Sequence, residues 1–173
     1  MTSRRVHVVQ GEHAVSGDPA VCLTTVLGSC VAACVWDPDG GVGGMNHFLL
    51  PQAPDGEPGD RRYGVQAMEL LINGLLQSGA RRDRLQAKVF GGARMSRRMA
   101  DIGGRNAAFV TRFLAHEGIV LHGSSLGGDS ARRIQFWPAT GRARQHLVSE
   151  TPAETLQPAL HAPTAPAGEV DLF

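Results

Sequence analysis

The sequence predicts an α+β fold in which mixed β-sheet layers are flanked by two main helices. Two observations carry this expectation. The first third of the chain is made of short Val-, Leu- and Thr-rich runs broken by Gly, Asp and Pro, the pattern of neighbouring strands joined by tight turns. From Val65 the apolar period lengthens to helical spacing, and helices and strands then alternate.

Each element follows from its own signal. Val6 to Val9 and Val21 to Leu27 are β-type runs, and Gly28-Ser29 punctuates the chain before a third, Val31 to Trp36. Asp37-Pro38-Asp39-Gly40-Gly41 is a turn. Val42 to Leu50 reads as one further strand stopped by Pro51, and 52–60 as a polar surface loop. Val65, Met68, Ile72, Leu75 and Leu76 then define a helix that Asp60 is placed to cap and Gly79 to end. Leu85 to Phe90 returns to strand character. A second helix is expected from about Asn106 to Glu117, with Phe109, Val110, Phe113 and Leu114 on its apolar face. Ile119 to His122 is a short strand, and Ile134 to Trp137 with Ala143 to Val148 form a hairpin around Ala139-Thr140-Gly141. Residues 1–149 are expected to make a single domain. Residues 150–173, rich in Pro, Ala, Thr and Glu, are expected to be a disordered or loosely attached tail.

Composition narrows the function. A chain of 173 residues, 42% hydrophobic and 19% charged, is long enough to bury a core. Its apolar runs are too short for a membrane span and its N-terminus lacks a signal-peptide core, so a cytoplasmic address without membrane insertion is expected. A net charge of +1 does not suggest nucleic-acid binding. Basic residues nevertheless crowd between Arg81 and Arg112, with Arg94, Arg97 and Arg98 among them. They read either as a solvated surface or as a docking face for an acidic protein. The three cysteines, Cys22, Cys30 and Cys34, argue against a disulfide framework by their odd number. They also lack the second ligand pair that structural zinc requires. No metal or other cofactor is expected.

The chemistry centres on Leu27-Gly28-Ser29-Cys30 and on Asn46-His47-Phe48. Cys30 follows a Gly-Ser turn, where free backbone N–H groups of Ser29 and Cys30 can face an oxyanion. Cys22 and Cys34 lie inside apolar runs and read as small core residues. A histidine in an apolar strand needs partners for its ring nitrogens, and His47 is close enough in sequence for adjacent strands to bring it to Cys30. No carboxylate is embedded nearby to hold the ring. Thr24 and Thr25 are, and one of them should share the face of the site.

These residues resemble the CheD family of chemoreceptor glutamine deamidases. The match runs through Thr24, Leu27 to Ala32, Gly44 to Pro51, Tyr63-Gly64, Ala67 to Asn73, Ala87 to Ala93, Ile102-Gly103, Asn106, Leu126 to Gly128 and Thr140-Gly141. It spans about Val6 to Leu147. The resemblance implies a papain-like-variant cysteine hydrolase similar to the catalytic domain of the cytotoxic necrotizing factors. It implies a triad of Cys30, His47 and Thr24, choosing Thr24 over Thr25. It also implies hydrolysis of glutamine side chains on the helical bundle of a chemoreceptor, releasing ammonia in chemotaxis adaptation. The alternative is a regulatory module that binds a CheC-type phosphatase or the receptor, with catalysis secondary.

Overall fold

The computed structural model describes residues 2–51, 59–98, 100–148 and 170–172. The described strands are β1 (Arg4–His7), β2 (His13–Ser16), β3 (Val21–Leu27), β4 (Val31–Asp37), β5 (Val42–Asn46), β6 (Gln86–Gly91), β7 (Val120–Leu126), β8 (Ala131–Trp137), β9 (Arg142–Val148) and β10 (Val170–Leu172). They form two five-stranded mixed sheets, ordered β1-β3-β8-β9-β10 and β2-β5-β4-β6-β7. The helices α1 (Gly59–Gln77) and α2 (Ile102–His116) both pack on the second sheet. The architecture is therefore three layers, helices on sheet on sheet, and the expected α+β class with two helices is the one observed.

The central strand β4 shows how the pattern produces these layers. All seven of its residues are buried. Val31, Ala33 and Val35 enter the core beneath the helices, with Met68, Leu71, Ile72 and Val110. Ala32, Cys34 and Trp36 point the other way, into the inter-sheet core with Leu23, Leu27, Ile134 and Phe136. Period-two alternation thus feeds two cores from one strand, which is why it reads as a continuous apolar run. Cys22 and Cys34 are buried, as a structural role requires. Gly43 and Gly44 in β5 answer to close packing. A Cβ on Gly43 would stand 2.4 Å from the Pro138 carbonyl oxygen, and one on Gly44 would stand 2.6 Å from that of Ala14.

Several boundaries differ from the sequence expectation. β1 lies two residues earlier than expected, because Arg4 to His7 pair in parallel with Val21 to Thr24. β2 was not expected: only Val15 is a strong β-former there, and the strand exists because β5 offers it a free edge. β5 ends at Asn46 instead of Leu50, and Phe48 rejoins the sheet through an isolated bridge to Val31. α2 begins at Ile102, four residues early, because the Asp101 carboxylate accepts the Gly104 N–H at 2.8 Å and caps the turn. The cap expected from Asp60 falls on a side chain outside the described set. Of the tail, residues 150–169 and 173 also lie outside the described residues. Val170–Leu172, expected to be loose, instead pairs antiparallel with β9, whose outer edge has ladder groups to offer.

Candidate active site

β4 and the segment after β5 set out the two principal residues. Cys34 pairs with Met45, and the same antiparallel register continues to Val31 and Phe48, whose N–H and C=O groups bond reciprocally at 3.0 and 2.9 Å. This register sets Ala32 across from His47 and puts Cys30 one alternation further along the same inter-sheet face. Cys30 is half-buried against the inter-sheet core, while His47 is 7% exposed.

His47 reaches from the second sheet to the first. Its Nδ1 lies 2.8 Å from Thr25 Oγ1 and 3.3 Å from the Val8 carbonyl oxygen. The Thr25 hydroxyl donates its proton to that same Val8 oxygen at 2.7 Å. Its oxygen therefore faces His47 as an acceptor. With acceptors at both contacts, Nδ1 carries the ring proton and donates it, which leaves the Nε2 lone pair free to take a proton.

The contact differs from the one expected for Thr24. The hydroxyl on His47 belongs to Thr25. β3 alternates, and Leu23, Thr25 and Leu27 face the second sheet, so Thr24 faces away. There its Oγ1 lies 3.4 Å from His7 Nδ1, in an exposed contact. Both threonines sit side by side between apolar residues, so the sequence of Val21 to Leu27 does not say which of them meets the second sheet.

The Cys30 turn is held from three sides. Gly92 N–H donates to the Cys30 carbonyl at 2.8 Å and Ala93 N–H to the Gly28 carbonyl at 3.0 Å. Asn106 Nδ2 donates to the Ser29 carbonyl at 2.8 Å, while its Oδ1 accepts the Leu50 N–H at 3.0 Å. Asn106 is fully buried, and with this pair of bonds it ties α2 to both segments of the site. Gly91 is needed where β6 meets this turn: its φ is +111°, and a Cβ would stand 2.1 Å from the Cys30 carbonyl oxygen. Among the described residues, the N–H groups of Ser29 and Cys30 donate to no other residue.

No hydrogen bond joins Cys30 to His47 among the described residues. The thiol donates instead to Gln10 Oε1, at 3.6 Å. Burial pushes the Cys30 thiol above its ordinary value, and its own backbone N–H offsets only part of this. Burial likewise pushes His47 down, against the Val8 carbonyl, which favours the charged ring; His7 adds to the lowering. Both shifts favour the neutral forms, thiol and imidazole.

The segment after β6 borders this turn. Ser29, Ala93, Arg94, Met95, Ala100 and Gly103 help line a cavity of about 140 Å³. Arg94, Arg97 and Arg98 are exposed on this segment and make no ion pair among the described residues. No group of three or more His, Cys, Asp or Glu side chains is arranged to hold a metal among the described residues. The same residues include no helix long and apolar enough to cross a membrane.

A thiol and an imidazole set on one inter-sheet face, Cys30 and His47, define the class of site to be compared. The family follows from comparison. A family model described as CheD chemotactic sensory transduction matches residues 49–146, and the chain belongs to the CheD family. It is 58% identical over 174 residues to a probable chemoreceptor glutamine deamidase CheD of Caulobacter sp. (strain K31), covering 98% of this chain and 93% of that one. The protein of the same name from Caulobacter vibrioides (strain NA1000 / CB15N) is 56% identical with the same coverage. That of Sinorhizobium medicae (strain WSM419) is 54% identical over 166 residues, covering 94% and 91%. Among solved structures, Neisseria meningitidis protein NMB0706, of the DUF152 family model, is similar with a TM-score of 0.46 and 10% identity over 73% of this chain and 63% of that one. Bacillus licheniformis hypothetical protein YfiH gives 0.45 and 12% over 72% and 60%.

Proposed function

We infer that this protein is a chemoreceptor glutamine deamidase, which hydrolyses the side-chain amide of receptor glutamines to glutamate with release of ammonia. The observation that carries the chemistry is the His47 contact with Thr25 and Val8, which leaves Nε2 as a base on the face shared with Cys30. In the proposed sequence His47 Nε2 takes the Cys30 proton as the sulfur attacks the carboxamide carbon. The N–H groups of Ser29 and Cys30 receive the developing oxyanion. The His47 imidazolium then protonates the departing ammonia, and the same ring activates water to hydrolyse the thioester. Thr25, in the place expected for Thr24, holds the ring throughout. No step calls for a cofactor.

The exposed arginines of the segment after β6 support a receptor-docking role. A shallow site that accepts a glutamine projecting from a helix draws its specificity from the surrounding surface. Arg94 lines the same cavity as Ser29, Arg97 and Arg98 follow it on the same exposed segment, and the three suit an acidic bundle. A cytoplasmic location and a CheC-type phosphatase as second partner are proposed on the family resemblance alone, as is likeness to papain-like enzymes and the cytotoxic necrotizing factor domain. A purely regulatory binding role is not favoured, since the curated relatives carry the name of an enzyme.

The test is intact-mass analysis of a receptor cytoplasmic fragment incubated with wild type and with Cys30→Ala. Wild type should add about one dalton per site, the amide-to-acid change of this chemistry, and the variant none. Turnover retained in Cys30→Ala would sink the reading.

A further inference from the structure

Gln10 belongs to no motif in the sequence, yet among the described residues its side chain is the one that meets the Cys30 thiol. It lies on the exposed loop between β1 and β2, and this loop is tied to the site by its backbone. Gly11 N–H donates to the His47 carbonyl at 2.8 Å and His47 N–H to the Glu12 carbonyl at 3.1 Å. Glu12 N–H donates to the Val9 carbonyl at 3.0 Å, and Glu12 Oε1 accepts the Val9 N–H at 3.2 Å, closing the loop on itself. Val8, at its start, accepts from both Thr25 and His47. One five-residue segment thus supplies a partner to the thiol, to the imidazole and to the hydroxyl.

A carboxamide presents an acceptor and a donor on one rotatable group, and its terminal torsion is broad and roughly two-fold. Beside a thiol the oxygen faces the sulfur, as observed. Beside a thiolate an oxygen is repelled, whereas an N–H is drawn in as a charge-assisted donor. We propose that Gln10 is a catalytic residue of this site: its carboxamide accepts the resting Cys30 thiol and turns its Nε2–H₂ group onto the sulfur as the negative charge forms. The proton leaves sulfur for His47 Nε2, and Gln10 neither gains nor loses one. The surroundings give such a donor a purpose. Burial disfavours the Cys30 thiolate, and among the described residues the opposing influence is the residue's own N–H. The role rests on the deamidase reading above.

The test reads the sulfur directly, without substrate. Iodoacetamide alkylation of Cys30 in the full chain is followed against pH by peptide mapping, which separates it from buried Cys22 and Cys34. Gln10→Met keeps the length and removes the donor; Gln10→Glu keeps an acceptor and adds a charge. The alkylation midpoint should rise by about one unit in Gln10→Met, the loss of one charge-assisted bond, and further in Gln10→Glu. Deamidation kcat should fall about tenfold or more in both, with KM little changed. Gln10 is exposed, so both variants should fold, and melting curves check this. Midpoints equal to wild type in both variants, with Cys30-dependent turnover intact, would overturn the role of Gln10 alone. Turnover surviving Cys30→Ala would instead remove the deamidase reading. A gain of about one dalton at residue 10 in wild type, absent in Cys30→Ala, would make Gln10 a self-substrate and also overturn the proposal.

Discussion

Thr25 Oγ1 stands 2.8 Å from His47 Nδ1, while Thr24, the preceding residue, meets His7 on the opposite face of the same strand. The contact crosses from one sheet to the other, so the site exists only where the two sheets face each other. Its direction is fixed by Val8, whose carbonyl takes the Thr25 proton and leaves the hydroxyl oxygen to receive the imidazole N–H. A neutral hydroxyl orients the ring without the electrostatic support that a carboxylate gives the imidazolium.

The two threonines should therefore separate cleanly. Thr25→Val, which keeps the β-branched shape and removes the hydroxyl, should lower deamidation kcat by about 10²-fold, the scale of a misplaced general base. Thr24→Val should stay within about threefold of wild type, as expected for a surface position. Steady-state kinetics on a receptor fragment measures both.

The pH profile follows from the neutral forms that burial favours. Activity needs one proton shared between Cys30 and His47. It is lost at acid pH when the imidazole is protonated and at alkaline pH when the thiol and ring are both deprotonated. Burial lowers His47 from 6.5 and raises Cys30 from 9.0, so both limbs move outward. The profile of kcat/KM should be a wide plateau, its acid limb below 6.5 and its alkaline limb above 9.0. The same lowering makes neutral His47 a source of stability above pH 6.5 that is lost as pH falls through its folded value.

Asn106 is the structural bolt of the Cys30 turn. Asn106→Ala strands the Ser29 carbonyl and the Leu50 amide in a buried setting, and should cost about 2–4 kcal/mol in urea denaturation. Because Ser29 precedes the nucleophile, kcat should also fall under conditions where the variant is fully folded.

Asp37 offers a test remote from the site. It is fully buried and accepts N–H bonds from Asp39, Gly40 and Arg81 as well as two from the Arg84 guanidinium. Burial alone would raise its carboxyl, but the Arg81 and Gly40 amides and Arg84 hold it at about 2. Asp37→Asn should destabilise the fold by about 3–5 kcal/mol at neutral pH, because Arg84 then loses its buried counter-charge. The wild-type contribution is full above the ordinary carboxylate value of 3.8 and is lost as pH falls through about 2. The stability gap between the two proteins, followed by thermal melts from pH 7 downward, should narrow over that window.

Much of this protein is determined by sequence alone. Short β-type apolar runs fed β3 and β4, helical spacing fed α1, and the Gly-Ser turn singled out Cys30 from two core cysteines. Those are local properties, set by backbone geometry within a few residues. Only the tertiary structure decided what depends on which surfaces meet. β2 has little strand signal of its own and forms on the edge that β5 leaves open. Thr25 makes the His47 contact because the second sheet covers one face of β3, and a spacing counted along the chain does not say which face that is. Gln10 and Asn106 reach the Cys30 turn from 20 and 77 residues away, distances at which no sequence period operates. The opening expectation of Cys30 with His47 as its base stands as the proposal. Its third member and its resting hydrogen bond were supplied by packing, since a hydrogen bond forms between groups the fold brings together.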